Sequence, residues 1–494
     1  MALPHPPLVV CLLVLISCLL SGGVLAGSRR RYLTASLDEL RGYNGHQVHS
    51  PPLTSPAATP GRKLSIRVPA ADKPAARDIH VRDSARLRTI LQRSSSASAA
   101  AASSLLAPYA SPPAAMPPIP FPAVSVAPAP APAVTIPDRS GTYLDTLEFV
   151  VAVGLGTPAQ PSALIFDTGS DLSWVQCQPC SAGHCHPQQD PLFDPSKSST
   201  YAAVHCGEPQ CAAAGDLCSE DNTTCLYLVR YGDDSSTTGV LSRDTLALTS
   251  SRALPGFPFG CGTRNLGDFG RVDGLLGLGR GELSLPSQAA ASFGAVFSYC
   301  LPSSNSTTGY LTIGAAATAP AADAGAAPQY TAMVRKPQFP SFYFVELVAI
   351  DIGGYVLPVP PAVFTRGGTL LDSGTVLTYL PAQAYALLRD RFRLTMERYT
   401  PAPPNDVLDA CYDFAGESEV VVPAVSFRFG DGAVFELDFF GVMIFLDENV
   451  GCLAFAAMDA GGLPLSIIGN TQQRSAEVIY DVAAEKIGFV PASC

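Results

Sequence analysis

Histidine is scarce in this 494-residue chain: there are seven, and none lies beyond His205. A Ser-His-Asp or Cys-His nucleophile needs an imidazole beside it. The three histidines of the body, His184, His186 and His205, all fall inside one cysteine-rich stretch. No His-Glu-x-x-His pair occurs, and no glycine-rich phosphate cradle runs into a lysine, so those metallopeptidase and nucleotide chemistries are excluded. Charge is sparse as well, 15% of residues against a usual share of about 25%. Basic groups are outnumbered 31 to 42, and an acidic body repels the phosphates of nucleic acid. Long apolar runs are missing except for Leu8 to Leu20, too short to span a bilayer comfortably. With Val24-Leu25-Ala26 as a small-residue cleavage site, 1–26 reads as a signal peptide, although no Lys or Arg precedes its apolar part. The chain closes on Pro491-Ala492-Ser493-Cys494, so no membrane anchor is expected in the mature form.

Cysteine is plentiful. Of fourteen, Cys11 and Cys18 leave with the signal, and twelve remain: Cys177, Cys180, Cys185, Cys206, Cys211, Cys218, Cys225, Cys261, Cys300, Cys411, Cys452 and Cys494. An even number in an exported chain reads as disulfides, in a pairing that the sequence leaves open. Cys177-x-x-Cys180 with Cys185 and His186 has zinc-like spacing. An oxidising compartment favours disulfides instead, so no metal and no other cofactor is expected. Asn222-Thr223-Thr224 and Asn305-Ser306-Thr307 are glycosylation acceptors on the secretory route, whose end point is the extracellular space (apoplast) or the vacuole.

Charge is unevenly divided. Residues 27–93 hold thirteen Lys and Arg against five Asp and Glu, leaving eighteen basic and thirty-seven acidic groups downstream. This basic segment is read as a prosegment that docks on the acidic body and blocks it. Within Asp78–Leu91, the spacing of Val81, Leu87, Ile90 and Leu91 predicts a short amphipathic helix. Residues 94–140 are taken as a linker, rich in Ser, Ala and Pro and unable to build a core. From Gly141 onward, short runs such as Phe149–Val153 and Ala424–Phe429 alternate with Gly, Asp, Ser and Pro clusters, the pattern of a mostly β protein. Helices are expected at Pro381–Phe392 and Ser287–Phe293.

The body repeats itself. Leu164-Ile165-Phe166-Asp167-Thr168-Gly169-Ser170 is echoed 205 residues later by Thr369-Leu370-Leu371-Asp372-Ser373-Gly374-Thr375. Downstream of each lies an apolar-apolar-Gly element, Leu275-Leu276-Gly277 and Ile467-Ile468-Gly469. Two related lobes follow, 141–335 with a cysteine-rich insert at 177–225, and 336–494. In each tetrapeptide the small hydroxyl residue, Thr168 or Ser373, can bond backbone, and Gly169 or Gly374 permits a sharp turn. Two carboxylates a few Å apart cannot both ionise readily and titrate as a unit sharing one proton. The ionised member can accept a proton from water while its partner polarises a peptide carbonyl. Ser170 and Thr375, three residues beyond each acid, are placed to bond the outer carboxylate oxygens.

Over 145–494 the chain resembles the pepsin-like aspartic proteases, and specifically their nepenthesin-type plant branch. The resemblance rests on Asp167–Trp174, on Gly274-Leu275-Leu276-Gly277-Leu278-Gly279, and on Ile467-Ile468-Gly469-Asn470-Thr471-Gln472-Gln473. It implies an all-β, bilobal fold with a cleft for an extended polypeptide, with Asp167 and Asp372 catalytic. It also implies that Tyr231, Gly232 and Asp233 belong to a flap over substrate, and that Trp174, the only tryptophan, bonds the flap tyrosine. The family's flap tip reads Tyr-Gly-Asp-Gly-Ser. Here the second Gly is Asp234, which puts flap geometry in question. The resemblance further implies that the insert is stapled to the first lobe. The expectation is a monomeric, secreted aspartic endopeptidase that acts on polypeptides at acidic pH and is made as a proenzyme inhibited by its own prosegment. The rival readings are a binding module that inhibits cell-wall-degrading enzymes and a storage glycoprotein. Both leave the paired tetrapeptides without a use.

Overall fold

The computed structural model describes residues 32–36, residues 79, 82, 83, 86 and 87, and 133–494 apart from 181–182, 232–234, 305–306, 315–326, 459–464 and 492. At the centre of each half, two buried strands run parallel. Gln160–Asp167 lies beside Gly274–Gly277 with Phe166 opposite Leu276, and Thr369–Leu371 lies beside Ser466–Ile468 with Leu371 opposite Ile468. The registers match, because Phe166 and Leu371 each immediately precede an acid. Both strand pairs are covered on both faces, which is why they read as unbroken apolar runs rather than alternating ones. Gly277 is required here: a Cβ would meet the backbone of Ser170 and Asp171. A third strand completes each unit, with Trp174 opposite Leu275 in one and Tyr379 opposite Ile467 in the other.

The halves are joined by sheet as well as by chain. Val296–Cys300 pairs on one side with Gly309–Ile313 and on the other with Ala476–Asp481, which in turn pairs with Lys486–Pro491. A lobe boundary near residue 335 therefore divides the chain but not the sheets, since the last two strands return to the first half. Both strands are buried along most of their length, Val478 to Tyr480 in one and Ile487 to Val490 in the other, so both faces are covered.

The linker reading needs a correction at its end. Val134–Ser140 is a strand between Gly309–Ile313 and Phe149–Leu155. Val134 and Ile136 point inward while Thr135 faces out, a period-two signal hidden by the surrounding Ala and Pro. The helices form at Leu285–Phe293 and Ala382–Thr395. In the second, Tyr385 joins Ala384, Leu388 and Phe392 on the buried face, and Leu387 is only half-buried.

Two pieces of the basic leader are docked on this body. Tyr32–Ser36 pairs antiparallel with Glu419–Pro423. Ile79, Arg82, Asp83, Arg86 and Leu87 are helical and share one face by their spacing. Ile79 and Leu87 are buried among Phe339, Phe342, Val376 and Tyr379. Of the apolar residues expected on that helix, Leu87 is so placed, and Val81, Ile90 and Leu91 lie outside the described residues.

All twelve body cysteines are paired: Cys177–Cys261, Cys180–Cys185, Cys206–Cys218, Cys211–Cys225, Cys300–Cys494 and Cys411–Cys452. The first of these ties the insert to the strand Arg252–Leu266 of the first half. The sulfurs of Cys206, Cys211 and Cys218 lie within 4.8 Å of one another, and each is already bonded to a cysteine. Among the described residues, no helix is long and apolar enough to cross a membrane. Cys300–Cys494 closes a separation of 194 residues and pins the last strand to the first half. Replacing both cysteines by Ala is expected to cost about 2–5 kcal/mol, read as a lower midpoint in chemical denaturation.

Candidate functional site

Asp167 and Asp372 each end a buried strand, and each is fully buried. Their proximity can be read from the glycines beside them. A Cβ on Gly169 would stand 2.8 Å from Asp372 Oδ1, and one on Gly374 would stand 2.5 Å from Asp167 Oδ1. Each tetrapeptide therefore leaves room for the other's carboxyl group. Each acid accepts the same two local bonds. Gly169 N donates to Asp167 Oδ1 at 2.9 Å and Ser170 Oγ to Oδ2 at 2.5 Å. Gly374 N donates to Asp372 Oδ1 at 3.1 Å and Thr375 Oγ1 to Oδ2 at 2.5 Å.

A reciprocal clasp holds the two loops together. Thr168 N donates to Ser373 Oγ and Ser373 N donates to Thr168 Oγ1, both at 3.0 Å. The hydroxyls pass their own protons on, Ser373 Oγ to Phe166 O and Thr168 Oγ1 to Leu371 O. The C-terminal motif supports this clasp from beneath. Asn470 Nδ2 donates to Ser373 O at 3.1 Å, and Gln473 Nε2 donates to Ile468 O at 2.9 Å. Tyr299 of the first half donates to Gln473 Oε1, which ties the clasp to the shared sheet.

Arg86 of the leader lies across both acids. Its Nε donates to Asp372 Oδ2 at 2.6 Å, and its Nη2 reaches Asp372 Oδ1 at 2.7 Å and also Asp167 Oδ1. Burial pushes the Asp167 carboxyl up, but Arg86, the Ser170 hydroxyl and the Gly169 N–H together hold it below its ordinary range. Burial disfavours the Arg86 charge, yet the two carboxylates more than restore it.

Residues 149–315 match the family described as xylanase inhibitor N-terminal, and residues 342–491 match xylanase inhibitor C-terminal. An Arabidopsis thaliana aspartyl protease family protein is 43% identical over 73% of this chain and 75% of its own length. Aspartyl protease AED1 of the same plant is 41% identical, with the same two coverages. Aspartic proteinase nepenthesin-1 of Nepenthes gracilis is 35% identical over 72% of this chain and 80% of its own. The chain belongs to the pepsin-like aspartic proteases of plants.

It is an aspartic-type endopeptidase. Solved structures share the fold at low identity. The crystal structure of edgp superposes with a TM-score of 0.60 at 21% identity, over 74% of this chain and 96% of its own. Basic 7S globulin from soybean gives 0.59 at 20% identity, over 73% and 95%.

In this protease, Trp174 Nε1 donates to Tyr231 Oη at 2.7 Å, and Phe269 packs edge-on against both rings. Gly232, Asp233 and Asp234 lie outside the described residues. Asn222 is exposed in a turn, and Asn305 is outside the described residues. A cleft of about 1130 Å³ opens beside Ser170 and Asp171, with Phe339 and Phe342 on one side. Ala212, Ala213 and Ala214 of the insert line it too, so the cysteine-rich segment reaches the cleft. Sequence reasoning missed Arg86, Asp83, Tyr379 and Gln473. The basic leader pointed to docking but not to one residue. Tyr379 was findable, because it follows Asp372 at the interval that separates Trp174 from Asp167.

Gly169→Ala is expected to push the carboxyl groups apart and lower kcat at least about a hundredfold, while the unfolding midpoint moves little. Ser373→Ala leaves the Thr168 N–H buried and unpaired. It should cost about 1–3 kcal/mol of stability in denaturant titration as well as activity.

Proposed function

We propose that this protein is a secreted endopeptidase that works at acidic pH on polypeptides laid across the cleft, and that it is made as a proenzyme. The observation that carries the reading is the convergence of two buried carboxyl groups held by matching hydrogen bonds. Such a pair shares one proton at acid pH. The ionised member takes a proton from the attacking water, its protonated partner polarises the scissile carbonyl, and the proton then passes to the leaving amine. No covalent intermediate is needed. The rival inhibitor reading leaves the complete set of bonds around Asp167 and Asp372 without a purpose. Leader-free protein should digest a denatured protein substrate at acid pH and be inhibited by pepstatin, and Asp167→Asn should abolish the digestion. An active Asp167→Asn would sink the mechanism.

The leader acts as an intramolecular inhibitor. Supporting this, Arg86 satisfies both carboxyl groups, Arg82 meets Asp268 at 2.5 Å and lies 4.0 Å from Glu148, and Asp83 bonds the opposite half. Two of these anchors titrate in opposite senses. Asp167 is lowered from 3.8 while Arg86 is docked, so its contribution is full above that value and is lost as pH falls through the lowered one. Burial raises Asp83 from 3.8 to about 7, so its contribution is full below 3.8 and is lost as pH rises through about 7. A labelled 27–93 peptide should therefore bind leader-free protein most tightly near about pH 4 and lose affinity as pH rises toward about 7, measured by fluorescence anisotropy across pH. Affinity that climbs steadily past neutrality would contradict this account.

A further inference from the structure

The leader brings a carboxyl group beside the paired acids as well as a guanidinium: Asp83 and Arg86 line one small cavity with Glu148, Tyr231 and Gly374. Asp83 is buried, and its two oxygens are received separately: Val376 N donates to Oδ1 and Leu377 N to Oδ2, each at 2.9 Å. Two successive backbone N–H groups aimed at one group form a cradle for an acceptor with two oxygens. The Tyr379 hydroxyl faces the same carboxyl without reaching hydrogen-bond geometry. It is buried and, among the described residues, has no other partner. Removing the leader leaves two N–H donors and one hydroxyl unpaired. A buried donor without a partner is costly. Their satisfaction then falls to water or to whatever peptide replaces the leader.

The position is close to the reacting groups. Asp83 precedes Arg86 by three residues on one helix, about 4.5 Å along its axis, and Arg86 bonds both catalytic acids. An extended peptide covers that distance in one or two residues. The internal repeat supports a role in binding. Trp174 and Tyr379 hold matching registers, each opposite the apolar-apolar-Gly strand of its own half. The Trp174 N–H is spent on the flap tyrosine, whereas the Tyr379 hydroxyl points at the leader's acid.

We infer that the niche formed by Val376 N, Leu377 N and the Tyr379 hydroxyl is, in the leader-free enzyme, a subsite for an acidic side chain of the peptide substrate. The inference rests on the proteolytic reading above. A carboxyl group offers an oxygen to each N–H. An amide of the same shape turns its NH2 toward one of the donors, and an aliphatic side chain leaves both unpaired. Burial favours the neutral form of the group held there, with Glu148 adding to the effect and the two N–H groups opposing it.

The test uses leader-free enzyme and a set of quenched fluorescent peptides. Asp, Asn or Leu is placed in turn at each of the three positions on either side of the scissile bond, and kcat/KM is measured. At one position, and only one, Asp should exceed both Asn and Leu by at least about tenfold. Tyr379→Phe should narrow the Asp-over-Leu ratio at that position several-fold. Absence of any Asp advantage, in an enzyme that still cuts the peptides, overturns the subsite alone. So does an Asp advantage that Tyr379→Phe leaves untouched, because the preference then arises elsewhere. Failure to cut any peptide, with Asp167→Asn no different, overturns the proteolytic reading and the subsite with it.

Discussion

Two carboxylic acids are forced together in a site that the docked leader covers, and most of this structure exists to make that tolerable. Burial penalises the charged form of the Asp167 carboxyl. The remedy is a dense set of fixed donors. Asp167 takes bonds from Gly169 N and Ser170 Oγ, and Asp372 takes them from Gly374 N and Thr375 Oγ1. Those donors hold only while the loops stay in register. The exchange of bonds between Thr168 and Ser373 fixes that register, because each hydroxyl both receives a backbone N–H and donates to a carbonyl of the other loop. The shared sheet and the Cys300–Cys494 bridge keep the halves from drifting, so the geometry of the paired acids and global stability depend on the same contacts.

The leader exploits the same local chemistry. Arg86 is suited to the site because a planar guanidinium can donate along two directions at once and keeps its charge when buried. A lysine would supply a single point of charge and would lose its proton more readily in the same surroundings. The contacts of the leader are spread over both halves, Arg82 on Asp268 and Asp83 on Val376 and Leu377. The helix thus spans the opening rather than resting on one wall. Pairing of Tyr32–Ser36 with Glu419–Pro423 adds a separate hold far from the acids in sequence, so letting go of the dyad does not by itself free the leader.

Much of this was legible in the sequence because duplication makes weak signals agree. One Asp-Thr-Gly is an ordinary turn. Two copies, each followed by an apolar-apolar-Gly element, demand a pair of parallel strands, and the registers of Phe166 with Leu276 and Leu371 with Ile468 meet that demand. What stayed hidden depends on partners distant in sequence. The composition around Val134–Ser140 disguised a strand whose ladder is supplied by residues near 310 and 150. Arg86 is one of thirteen basic residues in its segment, and nothing local marks it. The disulfide pairing was open for the same reason, since Cys177 finds Cys261 only once the sheet has formed.

The residues that differ between the two copies carry a consequence that the matching ones cannot. A cleft with perfect two-fold symmetry would accept an extended chain equally well in either direction, because each half would offer identical partners. The clasp and the donors around the acids come close to that symmetry. Position seven after each acid breaks it: an indole locked to Tyr231 on one side, and a phenol left facing a carboxyl niche on the other. The cysteine-rich insert deepens the difference, because Ala212–Ala214 line only the first half's flank of the cleft. A peptide entering this site therefore meets unlike walls at its two ends. Under the proposed mechanism its direction, and with it the identity of the bond presented to the acids, would be set by side chains that take no part in the chemistry.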